Sequence, residues 1–186
     1  MKKDSKKTVE DVLGFMSSEE IGRELNKICT EGATLADVRG ITPGDLELVY
    51  SLGFRFYNSG QYESARKLFE FLVLFDHLNT KFWFALGGVL QMQKNYPRAA
   101  MCFSFASFLD LDKPKAQFHA AECYWASGDR ENALSALSAL EEFAPRDTED
   151  GREYRKRGAA LKARILRSRV SKDKSPKSAK GKGGSK

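Results

Sequence analysis

Apolar and small side chains recur through the middle of the chain at one fixed interval, as at positions 53, 87 and 121. Within each unit the apolar residues are spaced three and four apart, which places them on one face of a helix. The aligned segments are Val49-x2-Leu52-Gly53-x2-Phe56, Trp83-x2-Leu86-Gly87-x2-Leu90 and Gln117-x2-Ala120-Ala121-x2-Tyr124, followed by Ala65-x3-Phe69, Ala99-x3-Phe103 and Ala133-x3-Leu137. The pattern predicts three successive pairs of helices.

The interval and the residue types match the signature of the tetratricopeptide repeat, a helical hairpin that stacks on its neighbours. Small residues at matching places let the two helices of a hairpin approach closely. The expected facing pairs are Gly53–Ala65, Gly87–Ala99 and Ala121–Ala133. Turns are expected at Asn58-Ser59-Gly60, Lys94-Asn95-Tyr96-Pro97 and Ser127-Gly128-Asp129. The predicted fold is all-α, with three tetratricopeptide-type hairpins in a short superhelix, N-terminal helices and a C-terminal capping helix.

The segments around the repeats complete the predicted domain organisation. It comprises an N-terminal helical extension (1–41), the three repeats (42–146), a C-terminal helix (147–170) and a disordered basic tail (171–186). Helices are expected at Thr8 to Phe15, Ile21 to Thr30 and Leu35 to Val38, and Thr42-Pro43-x-Asp45 begins the first repeat. In the C-terminal helix, Tyr154, Ala159, Leu161 and Ile165 are expected to cover the last hairpin. The extension either caps the first hairpin or pairs with a second subunit as a homodimer.

The net charge of +6 averages two unlike parts of the chain. Residues 152–186 contain 14 Lys and Arg against two acidic residues, a net charge of +12, whereas the other 151 residues hold 17 basic and 23 acidic side chains, a net charge of −6. The basic segment carries no aromatic residue beyond Tyr154 for base stacking, so a specific nucleic-acid function is not expected. No apolar stretch is long enough to span a membrane. The three cysteines lack disulfide or metal spacing, and we expect buried free thiols in a reducing cytoplasm.

Aromatic residues recur on the first helix of each repeat beyond those needed for one packed face. Tyr50, Phe84 and Phe118 share one repeat position, and Tyr57, Gln91 and Trp125 share another. Rings of roughly 150–250 Å² each, aligned on the concave side of stacked hairpins, would form a groove for an extended peptide. The predicted client-binding residues are Tyr50, Phe54, Tyr57, Phe84, Gln91, Phe118 and Trp125, with Glu47, Lys81, Lys115 and Glu122 at the rim. Alternatively, these rings belong to the core and are covered by the N-terminal helices.

No arrangement of residues in the sequence indicates catalysis. His77 and His119 lie on different repeats, and the sequence contains no zinc-protease, nucleophile-elbow or phosphate-loop motif. We therefore expect no catalytic residues, no metal site and no cofactor.

The first two repeats resemble the class II chaperones of bacterial type III secretion. The resemblance runs from about Ser17 to Phe143. It is carried by the segment from Val49 to Ala65, by Phe69 with Asp76-His77, by Phe82-Trp83-Phe84-Ala85-Leu86-Gly87 and by Asn95-Tyr96-x-x-Ala99-x3-Phe103. The basic segment from Arg152 to Lys186 departs from the acidic, shorter build of that family.

This resemblance implies a cytoplasmic bacterial chaperone that keeps hydrophobic translocator proteins soluble before export. In that family an extended translocator segment lies in the concave groove, and the N-terminal helices often mediate homodimers. Tyr50, Phe54 and Tyr57 match the groove aromatics of the first repeat, whereas the residues of the later repeats follow from the repeat interval alone. The alternatives are a repeat-protein scaffold that binds another peptide partner, including a C-terminal carboxylate, and an adaptor that binds nucleic acid through the tail.

Overall fold

A computed structural model describes residues 18–173, which contain nine helices and no strand. The helices are α1 Ser18–Glu31, α2 Leu35–Arg39, α3 Pro43–Asn58, α4 Tyr62–Phe75, α5 Thr80–Met92, α6 Tyr96–Leu109, α7 Pro114–Ala126, α8 Arg130–Phe143 and α9 Glu149–Asp173. They belong to two compact units, Met1–Phe82 and Trp83–Lys186, which divide within α5. The expected helix at Thr8 to Phe15 and the tail beyond Asp173 lie outside the described residues. The all-α prediction is confirmed.

Side-chain caps define where α2 and α3 begin. Thr34 accepts a hydrogen bond from the backbone N–H of Asp37 (3.2 Å), and the Asp37 carboxylate accepts one from the backbone N–H of Thr34 (2.7 Å). Thr42 and Asp45 repeat this arrangement at α3. The Asp45 N–H donates to the Thr42 hydroxyl (3.2 Å), and the Thr42 N–H donates to the Asp45 carboxylate (3.0 Å). These bonds lower the pKa of both carboxyl groups, chiefly through the threonine side chain. Reciprocal capping satisfies backbone donors that a helix leaves unpaired at its start. The predicted beginning of α3 at Thr42 and Pro43 is confirmed.

The three hairpins turn at one repeat position, where the backbone is left-handed. This position is occupied by Gly60 (φ 76°), Lys94 (φ 60°) and Gly128 (φ 87°), which are equally spaced along the chain. Each N–H donates to a carbonyl three residues earlier, at the end of the first helix of its hairpin. Glycine adopts this conformation without a steric penalty, whereas lysine does not. The predicted turns are therefore confirmed, with Lys94 as the strained member.

Close approach within the first two hairpins depends on glycine, and the atoms nearest to each glycine belong to a phenylalanine rather than to the expected alanine. A Cβ atom on Gly53 would lie 2.8 Å from the Phe69 ring, and one on Gly87 would lie 2.9 Å from the Phe103 ring. Both rings are fully buried. The phenylalanine, four residues after the alanine, fills the space that glycine leaves.

Helix α9 packs on α7 and α8 of the third hairpin. Tyr154, Leu161 and Ile165 are buried as expected, whereas Ala159 is exposed because it lies on the opposite side of the helix. Gly158 permits close contact, since a Cβ there would lie 2.6 Å from a Leu140 methyl group. The helix continues to Asp173, beyond the predicted boundary at residue 170.

The cysteines only partly follow the expectation of buried thiols. Cys102 and Cys123 are buried, and burial raises the pKa of Cys123 to about 12. Cys29 is exposed on α1, so the expectation was wrong for this residue. Its side chain lies on a part of α1 that no neighbouring element covers within the described structure.

Candidate peptide-binding surfaces

A row of three aromatic rings lies along α3 in the first unit, and we call Tyr50, Phe54 and Tyr57 the first-repeat row. Tyr50 and Phe54 stack with ring centroids 6.3 Å apart and an interplanar angle of 11°. Phe54 and Tyr57 stack at 6.3 Å and 17°. Spacings of four and three residues bring these side chains to one face of the helix. The row is therefore a continuous aromatic strip, as the sequence indicated.

Burial differs along the first-repeat row. Phe54, the middle ring of the row, is 47% exposed, whereas Tyr50 and Tyr57 are half-buried. Tyr50 also contacts Phe69 (5.7 Å) and Phe82 (6.1 Å), so it contributes to packing. Desolvation, with a smaller effect from nearby Tyr62, raises the pKa of Tyr57. An exposed ring between two supported ones is a rigid apolar contact surface.

Two further residues complete this surface, Tyr62, which was not predicted, and Lys81, which was predicted at the rim. Tyr62, the first residue of α4, packs edge-on against Tyr57 at 5.7 Å. Lys81 holds its ammonium 3.9 Å from the centre of the Tyr50 ring and within 2.8 Å of both Glu47 carboxylate oxygens. Tyr62 was not predicted, because the repeated aromatic positions identified in the sequence lie on the first helices, although Tyr96 lies at the matching position of the second repeat. The rim charges Glu47 and Lys81 thus form an ion pair.

The second unit presents Phe84 on α5 as a half-buried ring. Phe84 packs edge-on against Phe103 at 5.2 Å and against the His119 ring at 5.8 Å. The Lys115 ammonium lies 5.4 Å from the centre of the Phe84 ring. Gln91, also predicted for this site, is half-buried two turns further along α5. Phe84 and Lys115 therefore place an apolar ring beside a positive charge.

Phe118 does not form part of an open surface, and the expectation that it does was wrong. Its ring is only 4% exposed. Helix α9 covers it with Tyr154, whose ring centroid is 5.6 Å away, and with the Arg157 guanidinium, 4.4 Å from the ring centre. The alternative interpretation, that the aromatics belong to the core, applies here, but the covering helix is C-terminal rather than N-terminal. Trp125 is half-buried and packs against the same core.

Beside Phe84, the side chains of His119 and Glu122 are paired with each other. His119 Nδ1 lies 2.9 Å from a Glu122 carboxylate oxygen, so the rim residue Glu122 is bonded to its own helix. Among residues 18–173 no group of three or more His, Cys, Asp or Glu is placed to hold a metal ion. No helix in this part of the chain is long and apolar enough to cross a bilayer.

A family model for the tetratricopeptide repeat matches residues 46–79 and 80–112, so the chain is a tetratricopeptide repeat protein. Low calcium response locus protein H of Yersinia pestis is 36% identical over 118 residues, which cover 63% of this chain and 70% of that protein.

Two solved structures show which kind of tetratricopeptide repeat protein the chain is similar to. A T3SS complex from Aeromonas hydrophila has a TM-score of 0.72 and 27% identity, covering 82% of this chain and 99% of that one. The Yersinia enterocolitica type III secretion chaperone SycD, solved with a peptide of the translocator YopD, has a TM-score of 0.63 and 32% identity, covering 69% and 98%. The chain belongs to the class II translocator chaperones of type III secretion.

Proposed function

We propose that this protein binds an extended, apolar segment of a secreted translocator on its exposed aromatic rings and keeps that client soluble until export. The first-repeat row carries the proposal, because three stacked rings with Phe54 47% exposed exceed what packing of α3 requires. The peptide-bound relative SycD supports the class of client. Burying one such ring under a client typically contributes ~2 kcal/mol or more to affinity.

On this proposal the protein acts in the bacterial cytoplasm and performs no catalysis. Phe84 of the second unit offers a further apolar contact. Gln91 and Trp125 are half-buried and also contribute to client binding. Phe118 is left out of the client-binding set, since α9 already covers it. The N-terminal extension remains assigned either to capping or to a homodimer, and α2 contacts α4 of the first hairpin.

The test is to replace Phe54 and a matched exposed ring elsewhere. Binding of a fluorescein-labelled copy of the YopD peptide would be followed by anisotropy, and thermal melting by circular dichroism. Phe54→Ala should weaken binding about 30-fold, equivalent to ~2 kcal/mol, with little change in melting temperature. Tyr50→Ala is less informative, because Tyr50 also packs on Phe69 and Phe82.

Phe108→Ala is the matched control. Phe108 is 74% exposed on α6 and belongs to neither aromatic surface described above. Its removal should leave both affinity and stability unchanged. Equal losses for Phe54→Ala and Phe108→Ala would indicate non-specific apolar adhesion, and wild-type affinity for Phe54→Ala would remove the first-repeat row from the binding site.

A further inference from the structure

Cations lie over aromatic rings at one repeated position of the chain. Lys81 lies 3.9 Å from the centre of Tyr50, and Lys115 lies 5.4 Å from the centre of Phe84. The two rings are one repeat interval apart, and so are the two lysines. In the third repeat the ring is Phe118, and Arg157 of α9 supplies the cation at 4.4 Å. A cation within about 6 Å of a ring centre is attracted to the ring face.

The three cations differ in how their charge is balanced. Lys81 is paired with Glu47 at 2.7 Å, and Arg157 is paired with Glu153 at 3.4 Å. Lys115 is exposed, and no carboxylate in residues 18–173 pairs with it. The repeat interval explains the difference. Glu47 lies one interval before Lys81, whereas the residue one interval before Lys115 is Lys81, another cation.

The surroundings of Lys115 make its unbalanced charge relevant to a client. One turn further along α7, His119 stacks on Phe103 (5.3 Å) and is bonded to Glu122 (2.9 Å). Glu122 is thus engaged by the histidine. A neutral client segment that covered Phe84 would partly desolvate the Lys115 ammonium without compensation. A client carboxylate at that place would restore the lost interaction and favour the correct alignment of the segment.

We propose that Lys115 recognises an aspartate or glutamate of the client, next to the apolar residue that packs on Phe84. The site thereby selects apolar segments interrupted by an acidic residue, and Lys115 sets their alignment on the second unit. Lys81, already paired with Glu47, selects no charge. This inference rests on the proposed function, because it assigns a chemical preference to the client segment that packs on Phe84.

The experiment scans the labelled YopD peptide, placing Asp, Asn or Lys at each position in turn. Affinities are measured for the wild-type protein, Lys115→Met and Lys115→Glu. For the wild-type protein, Asp should bind about fivefold more tightly than Asn at one or two adjacent positions, the scale expected of an exposed ion pair. The preference should disappear in Lys115→Met and change to Lys in Lys115→Glu. It should also weaken as salt is raised.

Lys81→Met is the matched control, since it removes a lysine from the same repeat position. It should leave the Asp-over-Asn preference intact. The inference is overturned if no position shows a preference that depends on residue 115, or if Lys81→Met abolishes the preference equally. In either case a retained Phe54→Ala effect would leave the proposed function standing. If the wild-type protein does not bind the peptide, both the inference about Lys115 and the proposed function are rejected.

Discussion

Two adjacent glycines on α5 allow the packing of the second hairpin to be tested by a single methyl group. A Cβ on Gly87 would lie 2.9 Å from two atoms of the Phe103 ring, whereas a Cβ on Gly88 would meet nothing within 4 Å. Phe103 is 1% exposed, so its ring has little room to move. The two substitutions therefore share the change in helix propensity and differ in the clash.

The expected magnitudes follow from these distances. Gly88→Ala should raise the free energy of unfolding by up to about 1 kcal/mol, the propensity difference between the two residues. Gly87→Ala gains the same amount but also overpacks the ring at a cost of about 1–3 kcal/mol. We expect Gly87→Ala to be about 1–3 kcal/mol less stable than Gly88→Ala. Urea unfolding of both variants, followed by circular dichroism at room temperature, measures this difference.

The third repeat indicates how the clash can be relieved. There Ala121 replaces the glycine and Leu137 replaces the phenylalanine, and both are fully buried. Phe103→Leu should therefore make Gly87→Ala less costly, with a favourable coupling of about 1 kcal/mol in the double-mutant cycle. Equal stability of Gly87→Ala and Gly88→Ala, or additive costs in the cycle, would refute the idea that glycine at this position is required by the ring.

Two further outcomes concern the turn and the tail. Lys94→Gly should raise the free energy of unfolding by about 0.5–1 kcal/mol, because relief of the left-handed strain exceeds the added backbone entropy of glycine; calorimetry that shows no gain would contradict the strain. Truncation after Val170 should shift the melting temperature by less than about 2 °C, since the removed residues include no large apolar side chain; a cooperative loss of helix would show instead that this segment packs.

Local chemistry explains why much of the fold could be predicted from the sequence. The helix cap at Thr42 and Asp45 depends on residues three apart, and the turns at Gly60 and Gly128 depend on one backbone conformation. The constant repeat interval then presents each local signal three times. The first-repeat row was predictable for the same reason, because its three rings lie on one helix.

The exposure of Phe118 could not be predicted in this way. Equivalence by repeat position assumes that each repeat has the same neighbour, and that assumption fails at the end of an array. The third hairpin is followed by α9, whose Tyr154 and Arg157 cover the ring. Phe118 and Tyr154 are brought into contact by α9, a helix that is not part of the repeated pattern. Equal positions in a repeat therefore predict equal conformation more reliably than equal burial.

The charged residues at one repeat position indicate a difference between the repeats that the aromatic residues alone do not show. Glu47, Lys81 and Lys115 occupy one position of successive repeats, and the first two form an ion pair at 2.7 Å across one repeat interval. In such a series, the acidic residue forms an ion pair with the base one interval later, and the second base has another base, not an acid, one interval before it. The sequence interpretation placed all three residues at the rim without separating their roles. The order acid, base, base singles out Lys115 as the member without a carboxylate partner among residues 18–173, and the peptide scan asks whether the client supplies one.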